Sequence, residues 1–191
     1  LTRDGHEPVR RLFFALWPDE TERQRLVHAT AGAAGVSGGR LVPAESLHVT
    51  LAFLGSVPER RIPDLHPPAR QVAKAFAQDA RPPPLRFDRV AHWAGARILC
   101  ALAADEARAL ALAAALRDTS AAAGFSPDLK PFHPHVTVAR KVVRASVPQA
   151  LHPVLWRFDA FTLLDSHSAA AGPVYSVIES YPLFKTENAR A

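Results

Sequence analysis

The sequence predicts a mixed α and β chain built as two similar lobes about an approximate two-fold axis. Three observations lead there. Short apolar runs of strand character alternate with helical stretches along the chain. A strand–helix–loop–strand interval occurs twice, His48 standing 36 residues after Leu12 and His135 standing 37 residues after Ile98. Both intervals end in a strand that opens His-Val-Thr, so a duplicated unit explains them better than an array of many repeats does. At 191 residues the length suits this reading, with residues 1–191 forming one two-lobed domain and the C-terminal strands crossing between the lobes.

The elements follow in order. Residues 11–17, Arg-Leu-Phe-Phe-Ala-Leu-Trp, read as a short buried strand stopped by Pro18. Asp19 and Glu22 have the spacing of a capping box, which starts a helix running to about Ala34, where Gly32, Gly35, Gly38 and Gly39 end it. Residues 48–54 form a second strand, closed by Gly55. Pro58, Pro63, Pro67 and Pro68 confine the next helix to residues 68–78. The stiff run Arg81-Pro82-Pro83-Pro84 marks a lobe boundary. Residues 85–93 and 98–103 read as a hairpin, and the Ala- and Leu-rich residues 105–123 as a helix closed by Gly124. Residues 135–140 form a strand, and the alternating stretches 154–164 and 174–184 read as two long strands that complete the sheets.

Composition narrows the class of function. Apolar residues make up 48% and charged residues 21%, an ordinary globular balance. The net charge of +5 is compatible with a polyanionic partner and equally with a basic surface that aids solubility. Cys100 is the only cysteine, which excludes an internal disulfide and a cysteine-based zinc site. Its apolar surroundings predict a small core filler. No run of the sequence reaches the roughly 18 apolar residues of a membrane span, and residues 1–11 lack the apolar segment of a signal peptide. A cytoplasmic protein, without membrane contact and acting as a monomer, is expected. The chain has no Met, as a trimmed or processed chain would.

The two motifs carry the chemistry. Along a strand, residues i and i+2 share a face, so His48 projects with Thr50 and His135 with Thr137, while Val49, Leu51, Val136 and Val138 pack behind. In-line displacement at phosphorus needs one group to take a proton from water and another to give a proton to the leaving oxygen on the far side. Two imidazoles divide those roles near neutral pH. Neighbouring hydroxyls hold the non-bridging oxygens whose charge must be stabilised. This set needs neither metal nor cofactor. His133 and His135 also share a face, which admits a metal reading, but Pro134 separates them and no third ligand lies nearby. His6, His28, His66, His92, His152 and His167 stand in no ligand spacing. Trp17, Trp93, Trp156 and Phe132 are candidates for stacking on bases, with core packing as the default. Phe13, Phe14, Phe53, Phe158 and Phe161 are assigned to the core.

These motifs resemble the two-histidine phosphoesterase superfamily, and within it the RNA 2′,3′-cyclic phosphodiesterase branch, also called 2′-5′ RNA ligase. The matching segments are residues 11–16 (RLFFAL), 42–55 (VPAESLHVTLAFLG), 131–140 (PFHPHVTVAR) and 172–175 (GPVY), in the same order from about residue 10 to 185. The resemblance implies a bilobal α+β fold with antiparallel sheets lining a central cleft and helices outside. It implies hydrolysis of RNA 2′,3′-cyclic phosphate ends to 2′-phosphomonoesters, with His48 as proton donor and His135 as acceptor. Thr50, Thr137 and Arg140 would bind phosphate, although Arg140 reads equally as a surface charge at a strand end. Weak reverse 2′-5′ ligation would follow from the same chemistry. The segment Ala91-His92-Trp93-Ala94 departs from the branch, where a loop richer in Pro and Arg is expected. A non-hydrolytic nucleotide- or RNA-binding module stays open as an alternative. So does a phosphodiesterase for a small cyclic nucleotide or for ADP-ribose 1″,2″-cyclic phosphate.

Overall fold

Two antiparallel sheets organise the chain, and the two His-Val-Thr segments occupy corresponding places in them. The structure is a computed structural model that describes residues 7–77, 83–104, 106–144, 149–169 and 172–184. Its elements are β1 (Val9–Leu16), α1 (Glu20–Val36), β2 (Arg40–Leu41), β3 (Val49–Pro58), α2 (His66–Phe76), β4 (Leu85–Trp93), β5 (Ile98–Ala103), α3 (Ala107–Ala122), β6 (His135–Arg140), β7 (Gln149–Trp156), β8 (Ala160–Ala169) and β9 (Gly172–Pro182). One sheet has the order β3-β1-β8-β9 and the other β2-β6-β5-β4-β7. In each, the strand that follows a motif histidine pairs with the apolar strand that opens its repeat, β3 with β1 and β6 with β5. This is the α+β architecture of facing antiparallel sheets that the sequence predicts.

The helices are exchanged between the repeats. α1 packs against β6 and β7 of the five-stranded sheet, and α3 packs against β3 of the four-stranded sheet and against α2. The link at α1 is specific. Asp19 Oδ1 accepts from the Glu22 N–H at 2.7 Å, and Glu22 Oε2 accepts from the Asp19 N–H at 3.2 Å, completing the capping box. Glu22 Oε1 also accepts from the Arg157 N–H, and the Glu22 carbonyl accepts from the indole N–H of the fully buried Trp156 at 2.9 Å. One helix-capping residue therefore seals the start of α1 and docks it on the end of β7. Full burial of a large side chain such as Trp156 contributes about 1.5–3 kcal/mol.

Several elements differ from the sequence expectation. The stretch 154–164 is two strands in different sheets, β7 ending at Trp156 and β8 starting at Ala160. Trp156, Phe158 and Phe161 are all buried, and Arg157 and Asp159 alternate with Trp156 and Phe158 as they would along one continuous strand. β8 and β9 then return to the sheet of the first repeat. Gly55 does not close β3: it lies inside the strand with φ of 73° at a bulge, where the left-handed conformation suits glycine. α2 begins at His66, after a 3₁₀ turn over Glu59–Leu65, because Pro67 and Pro68 are tolerated in the first helical turn. α1 continues to Val36, two residues past the expected end, and β2 was not anticipated. The hairpin β4–β5 and strand β6 have the expected bounds. Gln78, Arg81, Pro82, Asp105 and His6, which enter the expectations above, lie outside the described residues. Among the described residues no helix is long and apolar enough to cross a membrane.

Candidate active site

Both His-x-Thr segments carry the same irregularity, and it shapes the site. Across β1 and β3, Ala15 pairs with Thr50 but Phe14 pairs with Ala52, so Leu51 is an extra residue. Across β5 and β6, Cys100 pairs with Thr137 but Leu99 pairs with Ala139, so Val138 is extra in the equivalent position. A bulge resets the alternation of side chains and re-aims those that follow. Strict alternation would put Ala52 and Ala139 beside the histidines. After the bulge it is Phe53 and Arg140 that face the cleft, and both are only half-buried while Ala52 and Ala139 are buried. Arg140 reaches the cleft by this shift of one residue. Phe53, expected in the core, becomes part of the cleft wall, with Arg11 above its ring at 5.3 Å.

All five residues singled out in the sequence line one small cavity. It has a volume of about 40 Å³ and is bounded by His48, Thr50, His135, Thr137 and Arg140, with Val42 and Ser46. The two imidazoles are held in the same way. His48 Nδ1 lies 2.7 Å from the Ser46 carbonyl oxygen, and His135 Nδ1 lies 2.7 Å from the His133 carbonyl oxygen. A carbonyl can only accept, so each Nδ1 carries the proton and each Nε2 presents a lone pair. His133 thus supplies a main-chain tether. Among the described residues no group of three or more His, Cys, Asp or Glu side chains is arranged to hold a metal ion.

The partners of the two Nε2 atoms differ. His48 Nε2 lies 3.0 Å from Thr50 Oγ1, which donates to it. His135 Nε2 has no such protein donor among the described residues; Thr137 stands opposite Cys100 of the neighbouring strand. Cys100 is fully buried, and burial pushes its thiol up to about 12.

Electrostatics set both imidazoles apart from free histidine. Burial holds His48 down to about 4, helped by the positive charge of Arg140 and opposed by the Ser46 hydrogen bond. Burial likewise lowers His135, with His133 and Arg140 adding to the effect and the His133 carbonyl opposing it. Without a ligand, both rings are neutral near pH 7, and the cavity carries the positive charge of Arg140. That arrangement attracts an anion, and an anion placed between the rings raises the affinity of both for protons.

An aromatic wall surrounds His48. Ring centroids of Phe13, Trp17 and Tyr175 lie 5.1, 5.9 and 4.9 Å from it. Trp93 lies 4.4 Å from His135. Of the aromatics considered for base stacking, Trp156 is fully buried and unavailable. Trp17 has its ring between His48 and the guanidinium of Arg23, which stands 4.7 Å from its centroid. Phe13 is buried as expected, on the cleft side of β1 in a small cluster with Ala15 and Leu164, apart from the main core. Sequence reasoning missed this wall because strand periodicity shows which residues share a face and not which face meets the cleft.

Comparisons with known proteins place the chain in a family. The family model for the 2′-5′ RNA ligase superfamily matches residues 17–170. The RNA 2′,3′-cyclic phosphodiesterase of Thermus thermophilus is 33% identical over 186 residues, covering 91% of this chain and 90% of that protein. The protein of the same name from Escherichia coli is 29% identical over 178 residues, covering 91% and 97%. Among solved structures, E. coli LigT complexed with 3′-AMP superposes with a TM-score of 0.78 at 27% identity, covering 92% of this chain and 98% of that one.

Proposed function

The chain belongs to the 2′-5′ RNA ligase superfamily, and on that premise we propose that it is an RNA 2′,3′-cyclic phosphodiesterase working through His48 and His135. The observation that carries the proposal is the common cavity: two tethered imidazoles, two threonine hydroxyls and one guanidinium converge on one small space. A 2′,3′-cyclic phosphate entering it brings one negative charge against Arg140, Thr50 and Thr137.

The chemistry runs through the two Nε2 atoms, the Thr50 hydroxyl turning from His48 Nε2 to the bound phosphate. His135 Nε2 takes a proton from a water molecule as the water oxygen bonds to phosphorus. The bond from phosphorus to the 3′ oxygen breaks on the opposite side, and that oxygen takes a proton from His48 Nε2. The product is a 2′-phosphomonoester with a free 3′-hydroxyl. Thr50 and Thr137 hold the non-bridging oxygens as charge builds on them, and Arg140 offsets that charge. His48 must be protonated to serve as acid, although its pKa in the free protein is about 4. The bound phosphate supplies the difference: its charge offsets Arg140 and favours the imidazolium, so proton uptake accompanies substrate binding. Weak 2′-5′ ligation is the same ring opening with a 5′-hydroxyl in place of water. No residue of this chain is assigned to a metal or cofactor in these steps.

A panel of cyclic phosphates tests the substrate class, with the position of the product phosphate assigned by ³¹P NMR. Oligoribonucleotides ending in a 2′,3′-cyclic phosphate should yield 2′-monophosphates. Turnover confined to free cyclic mononucleotides, or to ADP-ribose 1″,2″-cyclic phosphate, would replace RNA as the substrate. Binding without turnover of any of them would leave a non-hydrolytic binding module.

A further inference from the structure

Arg23 is a buried charge that Glu20, Asp19, Glu45 and Glu22 favour through space without a close contact. On α1 its neighbour Arg25 is exposed, but Arg23 is only 9% exposed, covered by Trp17. Among the described residues its one ion pair is with exposed Glu20, at 3.9 Å from Nη1, the far limit of such a contact. The buried Nε and Nη2 have no hydrogen-bond partner among the described residues. Taking a guanidinium out of water this way is costly unless something accepts from it. The Nε–Nη2 edge of a guanidinium is a two-pronged donor whose shape matches a phosphate or carboxylate.

The surroundings indicate where the acceptor sits. Arg23 lines a cavity of about 340 Å³ together with Trp17, Arg40, Glu45, Arg140 and Tyr175. Arg140 Nε, also buried, has no hydrogen-bond partner among the described residues either. Ser46 and Arg140 belong both to this cavity and to the small chamber between the histidines, so the two spaces share a wall. Glu45 is an exposed carboxylate in the wall, and no ion pair joins it to Arg23 among the described residues.

We propose that this cavity is a second anion site, in which Arg23 and Arg140 hold the phosphate carried on the 5′ oxygen of the same nucleotide whose cyclic phosphate occupies the reaction chamber. The inference rests on the phosphodiesterase reading and adds to it a feature of substrate choice. In an RNA chain that phosphate is the internucleotide diester, so the site favours an RNA end over a lone cyclic nucleotide. A free 5′-monophosphate offers the same chemistry.

Calorimetric binding of three unreactive ligands to the full chain tests the site: adenosine 2′-monophosphate, adenosine 2′,5′-bisphosphate, and the ApA dinucleotide bearing a terminal 2′-phosphate. One charge-assisted, two-pronged contact corresponds to about tenfold or more in affinity. The bisphosphate should therefore bind at least about tenfold more tightly than the 2′-monophosphate. Arg23→Gln should shrink that ratio to less than about threefold, and Arg23→Lys should retain part of it. The dinucleotide matching the bisphosphate assigns the site to the diester of RNA, whereas an advantage for the bisphosphate alone overturns the preference for an RNA end. Equal affinity of the wild type for bisphosphate and monophosphate overturns the site itself, whatever the variants do. So does an unchanged ratio in a folded Arg23→Gln protein. Turnover of adenosine 2′,3′-cyclic phosphate, measured alongside on the wild type, reads the reaction separately from the second anion.

Discussion

Lowering the pH on the free protein should leave His48 neutral through the range where an ordinary imidazole takes up its proton. The ring is tethered by the Ser46 carbonyl, walled by Phe13, Trp17 and Tyr175, and faces the charge of Arg140. Burial is the largest influence and brings its pKa from 6.5 to about 4. At about pH 5.3, midway between those values, a free histidine is about 95% protonated and His48 about 5%. The unfolded chain therefore binds more protons than the folded one in this window. Stability from this group is complete above pH 6.5 and is lost progressively as the pH falls toward 4. Side-chain NMR of ¹⁵N-labelled histidine should place the His48 midpoint near 4 and, with phosphate bound, move it upward. A His48→Gln protein should lose less thermal stability than the wild type between pH 6.5 and 4. A His48 midpoint at or above 6.5 in the free protein would refute the argument that burial and Arg140 hold the ring neutral.

Three further outcomes follow from the structure. Turnover should survive excess chelator, since the two imidazoles supply both proton transfers; complete loss with EDTA, restored by a divalent cation, would require a metal-assisted route. Glu22→Ala removes half of the capping box and leaves the Arg157 N–H without its acceptor, so it should cost about 2 kcal/mol or more and lower Tm by about 4–8 °C; a melting point within about one degree of wild type would mean that α1 docks by other contacts. Cys100, buried and with its thiol at about 12, should resist iodoacetamide at pH 8 until the protein is unfolded, and rapid labelling of the native protein would show that β5 opens readily.

Much of the fold was legible because its signals are local. Asp19 and Glu22 announced their capping box by spacing, and Gly124, at φ of 78°, ends the stretch that closes α3. The repeat of His-Val-Thr pointed to both imidazoles, since the strands that carry them follow the same strand–helix interval. What stayed hidden depends on contacts between distant segments. The crossover at 157–159 is hidden because Arg157 and Asp159 alternate with Trp156 and Phe158 as along one strand, and only the three-residue step from Phe158 to Phe161 breaks the rhythm. The exchange of helices follows from Glu22 meeting Trp156 and Arg157, a pairing no local pattern shows. Arg140 was ambiguous for a definite reason: strict alternation turns it away from His135, and only the bulge at Val138 brings it into the cleft. Arg23 reads as one more charge on a helix surface until Trp17 and the cavity beside it are placed.

The central claim, that His48 and His135 divide the proton transfers, is tested most directly by kcat/KM of the two alanine variants on a pair of cyclic phosphate substrates that differ only in the leaving group. Each variant should lose about 10²–10⁴-fold or more on the ordinary 3′-alkoxide leaving group. A leaving group of much lower pKa needs little protonation as it departs, so it should restore a large part of the rate to His48→Ala and little to His135→Ala. Restoration of His135→Ala alone would reverse the assignment of acid and base. Near-normal turnover of both variants on both substrates would contradict the account altogether.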